Sequence, residues 1–170
     1  MVHICYYSIY SSFFKGLVCL SFLNLQWNKL TAIPDLTHVK NTLAVLVTSY
    51  NKISGLSLNF STDAPALRTL HLLGNRFPNF PDFSTATKLG YVSISFERFT
   101  MYPITHGFPV GNKLGRLYFS NVNHTLADNF FHGLTNLFEF HIRGYSPTSL
   151  PKIEEYSDSI KNMYIEKWNN

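Results

Sequence analysis

A nine-residue spacing of apolar side chains returns seven times along this chain, and so short a repeat restricts the possible folds more than any other property of the sequence. The motif L-x-x-L-x-L-x-x-N, in which isoleucine, valine, methionine or phenylalanine can replace leucine, begins at Leu20, Leu43, Leu67, Leu89, Leu114, Leu137 and Ile160. Successive starts lie 23, 24, 22, 25, 23 and 23 residues apart, and of the twenty-one apolar positions only Thr48 is polar. A unit of this length cannot bury its own apolar side chains. Each must be covered by the next, so the period predicts a stack of coils.

Inside the motif the last two apolar positions alternate with residues that point outward, as in a short strand with one buried face. Asn28, Asn51 and Asn75 close the first three motifs. A buried side-chain amide at that turn can satisfy backbone groups that would otherwise lack partners. The same slot holds Glu97, Val122, Tyr145 and Trp168 in the last four motifs, so the asparagine ladder should stop there and the second half should be less regular. Thirteen residues after the start, Ile33-Pro34, Phe80-Pro81, Tyr102-Pro103 and Leu150-Pro151 form a second landmark, with Leu56 and Ala127 in the equivalent slots of two other coils. Prolines and short coils disfavour a long helix behind the strands. Extended segments and turns are expected there, except at 125–137, where Phe130, Phe131 and Leu134 are spaced for one or two helical turns.

The common register of leucines, asparagine and apolar-proline pair resembles the leucine-rich repeat family over about residues 20 to 168. "IPDL" at 33–36 and "FPDF" at 80–83 are closest in style to extracellular animal members. The resemblance implies an α/β repeat fold: a curved solenoid with seven short parallel strands on the concave face and mostly irregular or short-helical convex segments. It also implies a non-enzymatic module that binds a protein or peptide ligand on the concave face. The chain divides into 1–19, an irregular N-terminal segment or degenerate leader, and 20–170, a repeat domain of about seven repeats. Neither end shows the cysteine-rich caps common in extracellular members, which suggests a fragment of a secreted or cell-surface protein. A structural spacer and a cytoplasmic scaffold segment are the alternatives.

Three columns of strand side chains should face away from the core. The first runs Phe22, Val45, Thr69, Tyr91, Arg116, Glu139, Asn162; the second Asn24, Val47, His71, Ser93, Tyr118, His141, Tyr164; the third Gln26, Ser49, Leu73, Ser95, Ser120, Arg143, Glu166. Seven strands about 4.8 Å apart span about 29 Å, a surface suited to a protein or peptide. Tyr91, Tyr118, Tyr164, Arg116 and Arg143 are candidate contacts because tyrosine and arginine are enriched at hot spots, and His71 and His141 share the central column. Trp27, Tyr50 and Phe96 precede the asparagine slot; packing at the strand-to-turn corner is the favoured role, with a lateral aromatic edge for ligand as the other.

The remaining signals restrict function by class. Fourteen Lys and Arg face ten Asp and Glu without a basic block, which argues against nucleic acid. His71 and His141 stand three repeats apart, about 14 Å, too far to share a metal ion. No phosphate loop, nucleophile elbow or cofactor motif occurs. Cys5 and Cys19 allow one bridge within the N-terminal segment or two buried free thiols. The apolar opening has no basic residue before Lys15 and is broken by Ser8, Ser11 and Ser12, unlike a signal peptide or spanning helix. Membrane attachment would require a segment missing from this chain. Asn59-Phe60-Ser61 and Asn123-His124-Thr125 are glycosylation acceptors if the protein is extracellular.

Overall fold

The computed structural model describes residues 6–96, 108–122, 126–127, 129–144 and 159–167. Seven strands form one sheet: β1 (Phe22–Asn24), β2 (Val45–Val47), β3 (Thr69–Leu72), β4 (Tyr91–Ser95), β5 (Arg116–Ser120), β6 (Glu139–Arg143) and β7 (Asn162–Glu166). They follow one another across the sheet in chain order, every pair parallel. Parallel neighbours in chain order lay each strand beside the one before it. The molecule is a parallel-strand solenoid.

The inward side chains are those the motif specifies. Leu46, Leu70, Val92, Leu117 and Phe140 make one buried row; Leu72, Ile94, Phe119 and Ile142 make the next. Full burial of such a side chain contributes about 1.5–3 kcal/mol relative to exposure, gained only where a neighbouring coil covers it. On β7, with no described coil on its far side, Met163 and Ile165 occupy these same slots at 39 and 45% exposure. Thr48, the polar exception, is fully buried, and its hydroxyl donates to the His71 carbonyl at 3.1 Å.

The asparagines knit the first coils together. Asn51 Nδ2 donates to the carbonyls of Leu25 and Thr48 at 2.9 and 3.0 Å, while its Oδ1 accepts from the Leu30 amide at 2.9 Å. Asn75 repeats the arrangement on Thr48, Leu72 and Ile53. Asn28 Oδ1 accepts from Tyr6 N at 3.1 Å, and Lys29 N donates to Tyr6 O as Lys52 N does to Leu30 O. Tyr6 thus stands to the first coil as Leu30 stands to the second. The N-terminal segment packs through Phe14, fully buried at the end of the 3-10 turn Ser11–Phe14.

Several expectations need correction. That four-residue turn is the only helix among the described residues, so the fold is an almost helix-free β solenoid rather than an α/β repeat. Among the described residues of the segment expected to be helical there are turns, with Phe130, His132, Leu134 and Leu137 each bonded to the carbonyl three residues before. Gly133, at φ 82°, interrupts any continuous helix. The strands of the second half are the longer ones: β4 to β7 have five residues each, against three, three and four in β1 to β3. Of the later asparagine-slot residues, Val122 is buried and Glu97, Tyr145 and Trp168 lie outside the described residues, as do Tyr102-Pro103 and Leu150-Pro151. Cys19 is a free, exposed thiol rather than a buried one, and Cys5 lies outside the described residues.

Candidate functional site

The strand register brings the open-face columns together. Tyr91, Arg116, Glu139 and Asn162 are aligned neighbours, as are His71, Ser93, Tyr118, His141 and Tyr164. Around the central column the rings touch: His71 lies 4.9 Å from Tyr91, Tyr118 lies 5.5 Å from His141, and His141 meets Tyr164 edge-on at 4.1 Å. Such aromatic contacts are each worth about 0.5–1.5 kcal/mol beyond area burial. The rings therefore hold one another in place and present an ordered face.

Ser93 lies between the two ring groups, its Oγ 3.1 Å from His71 Nδ1. Ser49, Ser93 and Ser95 belong to columns expected to face outward, yet all three are buried under larger neighbours. Ser95 is occupied as well, its Oγ accepting from Gly74 N at 2.8 Å. The His71–Ser93 contact thus joins a half-buried ring to a buried hydroxyl. Burial holds the His71 pKa below that of an ordinary histidine, and burial raises the Tyr91 hydroxyl pKa. His141 Nε2 is buried with no hydrogen-bond partner among the described residues.

Both candidate arginines are engaged by the next strand. Arg116 Nε lies 3.7 Å from Glu139 Oε2 and its guanidinium 5.3 Å from the Phe138 ring centre; Arg143 Nε lies 3.5 Å from Glu166 Oε2. Exposed pairs of this kind contribute about 0–1 kcal/mol. They order the arginines and cancel their charge locally. Tyr164 is exposed on the last strand. His71 and His141 stand three strands apart in register, about 14 Å, and no three His, Cys, Asp or Glu side chains gather for a metal among the described residues.

The corner after each strand carries the least expected geometry. Trp27, Tyr50, Gly74, Asn121 and Gly144 occupy the same slot in five coils, and all are left-handed, with φ between 57° and 70°. Glycine and asparagine tolerate that conformation; a large side chain costs roughly 1–2 kcal/mol there. Trp27 and Tyr50 are nevertheless 67 and 44% exposed, stacked nearly parallel at 5° with ring centres 4.0 Å apart. Tyr50 in turn lies against Gly74, where a Cβ would come within 2.5 Å of its ring. One stack is worth about 0.5–1.5 kcal/mol beyond area burial, set against backbone strain at both residues. Phe96 is fully buried 4.7 Å from Phe119, the favoured role of corner packing, and Tyr50 packs between Trp27 and Gly74, while Trp27 leaves most of its surface exposed. The glycines and asparagine of the same slot were the sequence signal for this left-handed corner.

Asn59 is exposed in a turn where Oδ1 accepts from the Ser61 amide and hydroxyl at 3.1 and 2.6 Å; Asn123 lies outside the described residues. Among the described residues no helix is long and apolar enough to cross a membrane. A cleft of about 570 Å³ behind the sheet is lined by connecting-segment residues, among them Phe80, Phe108 and Phe130. Compared with family models and with curated proteins, the chain matches none.

Proposed function

We propose that this chain is a leucine-rich repeat recognition module of the extracellular type, with no catalytic role, which binds a protein or peptide along the concave face of its sheet. The carrying observation is the set of mutually ordered rings at His71, Tyr91, Tyr118, His141 and Tyr164 across five adjacent strands. Preordered aromatic side chains lose little entropy when a partner covers them, and tyrosine is a frequent hot-spot residue. The neutralised pairs Arg116–Glu139 and Arg143–Glu166 flank the rings as a polar rim. In this reading Asn59 and Asn123 carry glycans, and neither a metal nor a nucleic acid takes part.

The test is selection of binders from a displayed library of random peptides on the intact chain, followed by binding to Tyr118→Ala and Tyr91→Ala. Loss of about 30-fold or more in affinity for either variant, with melting temperature retained, is the expected result. Selected peptides that bind both variants as tightly as the parent chain would remove the concave face as the site.

The self-satisfied arginine–glutamate pairs favour a second reading, a spacer without a ligand, because charges that pair with each other offer little to a partner. Failure of the selection to yield any specific peptide supports it.

A further inference from the structure

The Trp27–Tyr50 stack lies at the corner that follows β1 and β2 and rests on Gly74 just after β3; neither core packing nor the asparagine ladder requires it. We infer that it is a carbohydrate platform, on which the exposed face of Trp27 receives the C–H face of an uncharged pyranose ring. Four features carry this.

The backbone at both residues is left-handed, in a slot where the other left-handed coils carry Gly74, Asn121 and Gly144, so large rings are kept there against a conformational preference. The stack is rigid: Trp27 lies on Tyr50, Tyr50 lies on the bare backbone of Gly74, and the Trp27 and Tyr50 amides donate to Ser49 and Leu73 carbonyls at 3.1 and 2.6 Å. The rings form a single column with one flat outer surface rather than two rims of a groove. A proline-rich helix docks in an aromatic-lined groove; a pyranose needs only one plane. Exposed amides stand close along the chain: Asn24 and Gln26 precede Trp27 on the open face. Asn24 Oδ1 already accepts from Gln26 N at 3.0 Å, which turns the donor side of its amide to other partners.

An aromatic face with a negative π surface, with amides close along the chain, matches the two sides of a sugar: weakly positive C–H groups on one, hydroxyls at the edge. The Lys29 ammonium, two residues along the chain from Trp27, is taken by Tyr7, 5.2 Å from the centre of its ring and donating to its hydroxyl at 3.2 Å. The site would take the terminal or internal residue of a neutral oligosaccharide.

The test uses the whole chain carrying Trp168→Phe, which leaves Trp27 as the sole tryptophan. Its fluorescence is titrated with cellohexaose, with chitohexaose and, as the rival, with hexaproline. Saturable change with at least one hexasaccharide, at a dissociation constant on the order of 1 mM, is expected; so is a return to the starting spectrum on dilution. Trp27→Gly is then assayed by calorimetry with the same sugar. Because glycine accepts the left-handed backbone, the variant should keep its melting temperature while losing at least tenfold in affinity. No response to either sugar, a response to hexaproline alone, or sugar binding that survives Trp27→Gly would overturn the proposal. So would a fall of the melting temperature on Trp27→Gly, which would make the stack a structural clamp. A sugar-free spectrum that shifts with protein concentration would do the same, by showing that a second copy covers the ring.

Discussion

The first three coils and the later ones solve the same packing problem with different chemistry. Around β1 to β3 the coils are tied by side-chain amides: Asn51 and Asn75 each bond a carbonyl of the preceding coil, a carbonyl of their own strand end and a backbone amide of the preceding turn. Around β4 to β6 the interior is a contiguous set of phenylalanine rings, with Phe119 at its centre, 4.7, 5.5 and 5.6 Å from Phe96, Phe130 and Phe140. Amide ties persist there but move to the start of the strand. Asn112 Nδ2 donates to Gly133 O at 3.1 Å, and Asn136 Nδ2 to Asn112 O at 2.7 Å. The difference teaches that stacking needs two things, a filled interior and satisfied turns. A sequence can move the second away from the expected slot while enlarging the first.

Phe119→Ala tests the ring-filled half and should have the largest effect. Removal of a fully buried phenylalanine costs about 3–5 kcal/mol, since neighbouring rings cannot collapse into the space without moving their own coils. Chemical denaturation should show this loss, and a cost below about 1 kcal/mol would mean that the rings repack freely. Asn51→Ala tests the amide-tied half. It strands a buried carbonyl on Leu25 and the Leu30 amide, for which about 2–3 kcal/mol is expected from the same denaturation experiment. Asn112→Ala should resemble Asn51→Ala if the displaced tie is equivalent. Arg116→Ala should change stability by less than about 1 kcal/mol, because its ion pair is solvent-exposed.

The comparison also separates what the sequence makes legible from what it hides. Strand positions and the three columns follow from period and alternation, because a one-residue slip would turn every leucine outward; the parallel order was what the family resemblance implied. The ladder at Asn28, Asn51 and Asn75 is legible for the same reason: it sits in the motif. Asn112 and Asn136 are not, since they lie before the strand, where nothing distinguishes a structural amide from an exposed one. The sheltering of Ser93 depends on the sizes of residues more than twenty positions away, His71 and Tyr118, which alternation does not weigh. At the corner the left-handed backbone was visible in Gly74, Asn121 and Gly144, and obscured at Trp27 and Tyr50 by the bulk that makes them worth testing. The helical spacing of Phe130, Phe131 and Leu134 misled because three apolar residues satisfy a coil interior as readily as a helix face.

His71 stands at the junction of the two halves, and its titration gives the smallest and most local test. Burial among the open-face side chains disfavours its charged form, so its pKa is lower in the folded chain than the ordinary value of 6.5. The unfolded chain then binds the proton more readily. Stability from this group is fully present above about pH 6.5 and is lost as pH falls from there through the lower, folded-state value, below which no further loss occurs. The melting temperature of the parent chain should therefore fall more steeply than that of His71→Gln between about pH 7 and pH 5, with a constant difference above that range. Ser93 Oγ contacts His71 at 3.1 Å and can accept from either a neutral or a charged ring, so the hydrogen bond does not reverse the sign. Parallel pH curves for the two proteins would show that the ring is solvated as fully as in the unfolded chain, and the junction between the amide-tied and ring-filled coils would then be open at its surface.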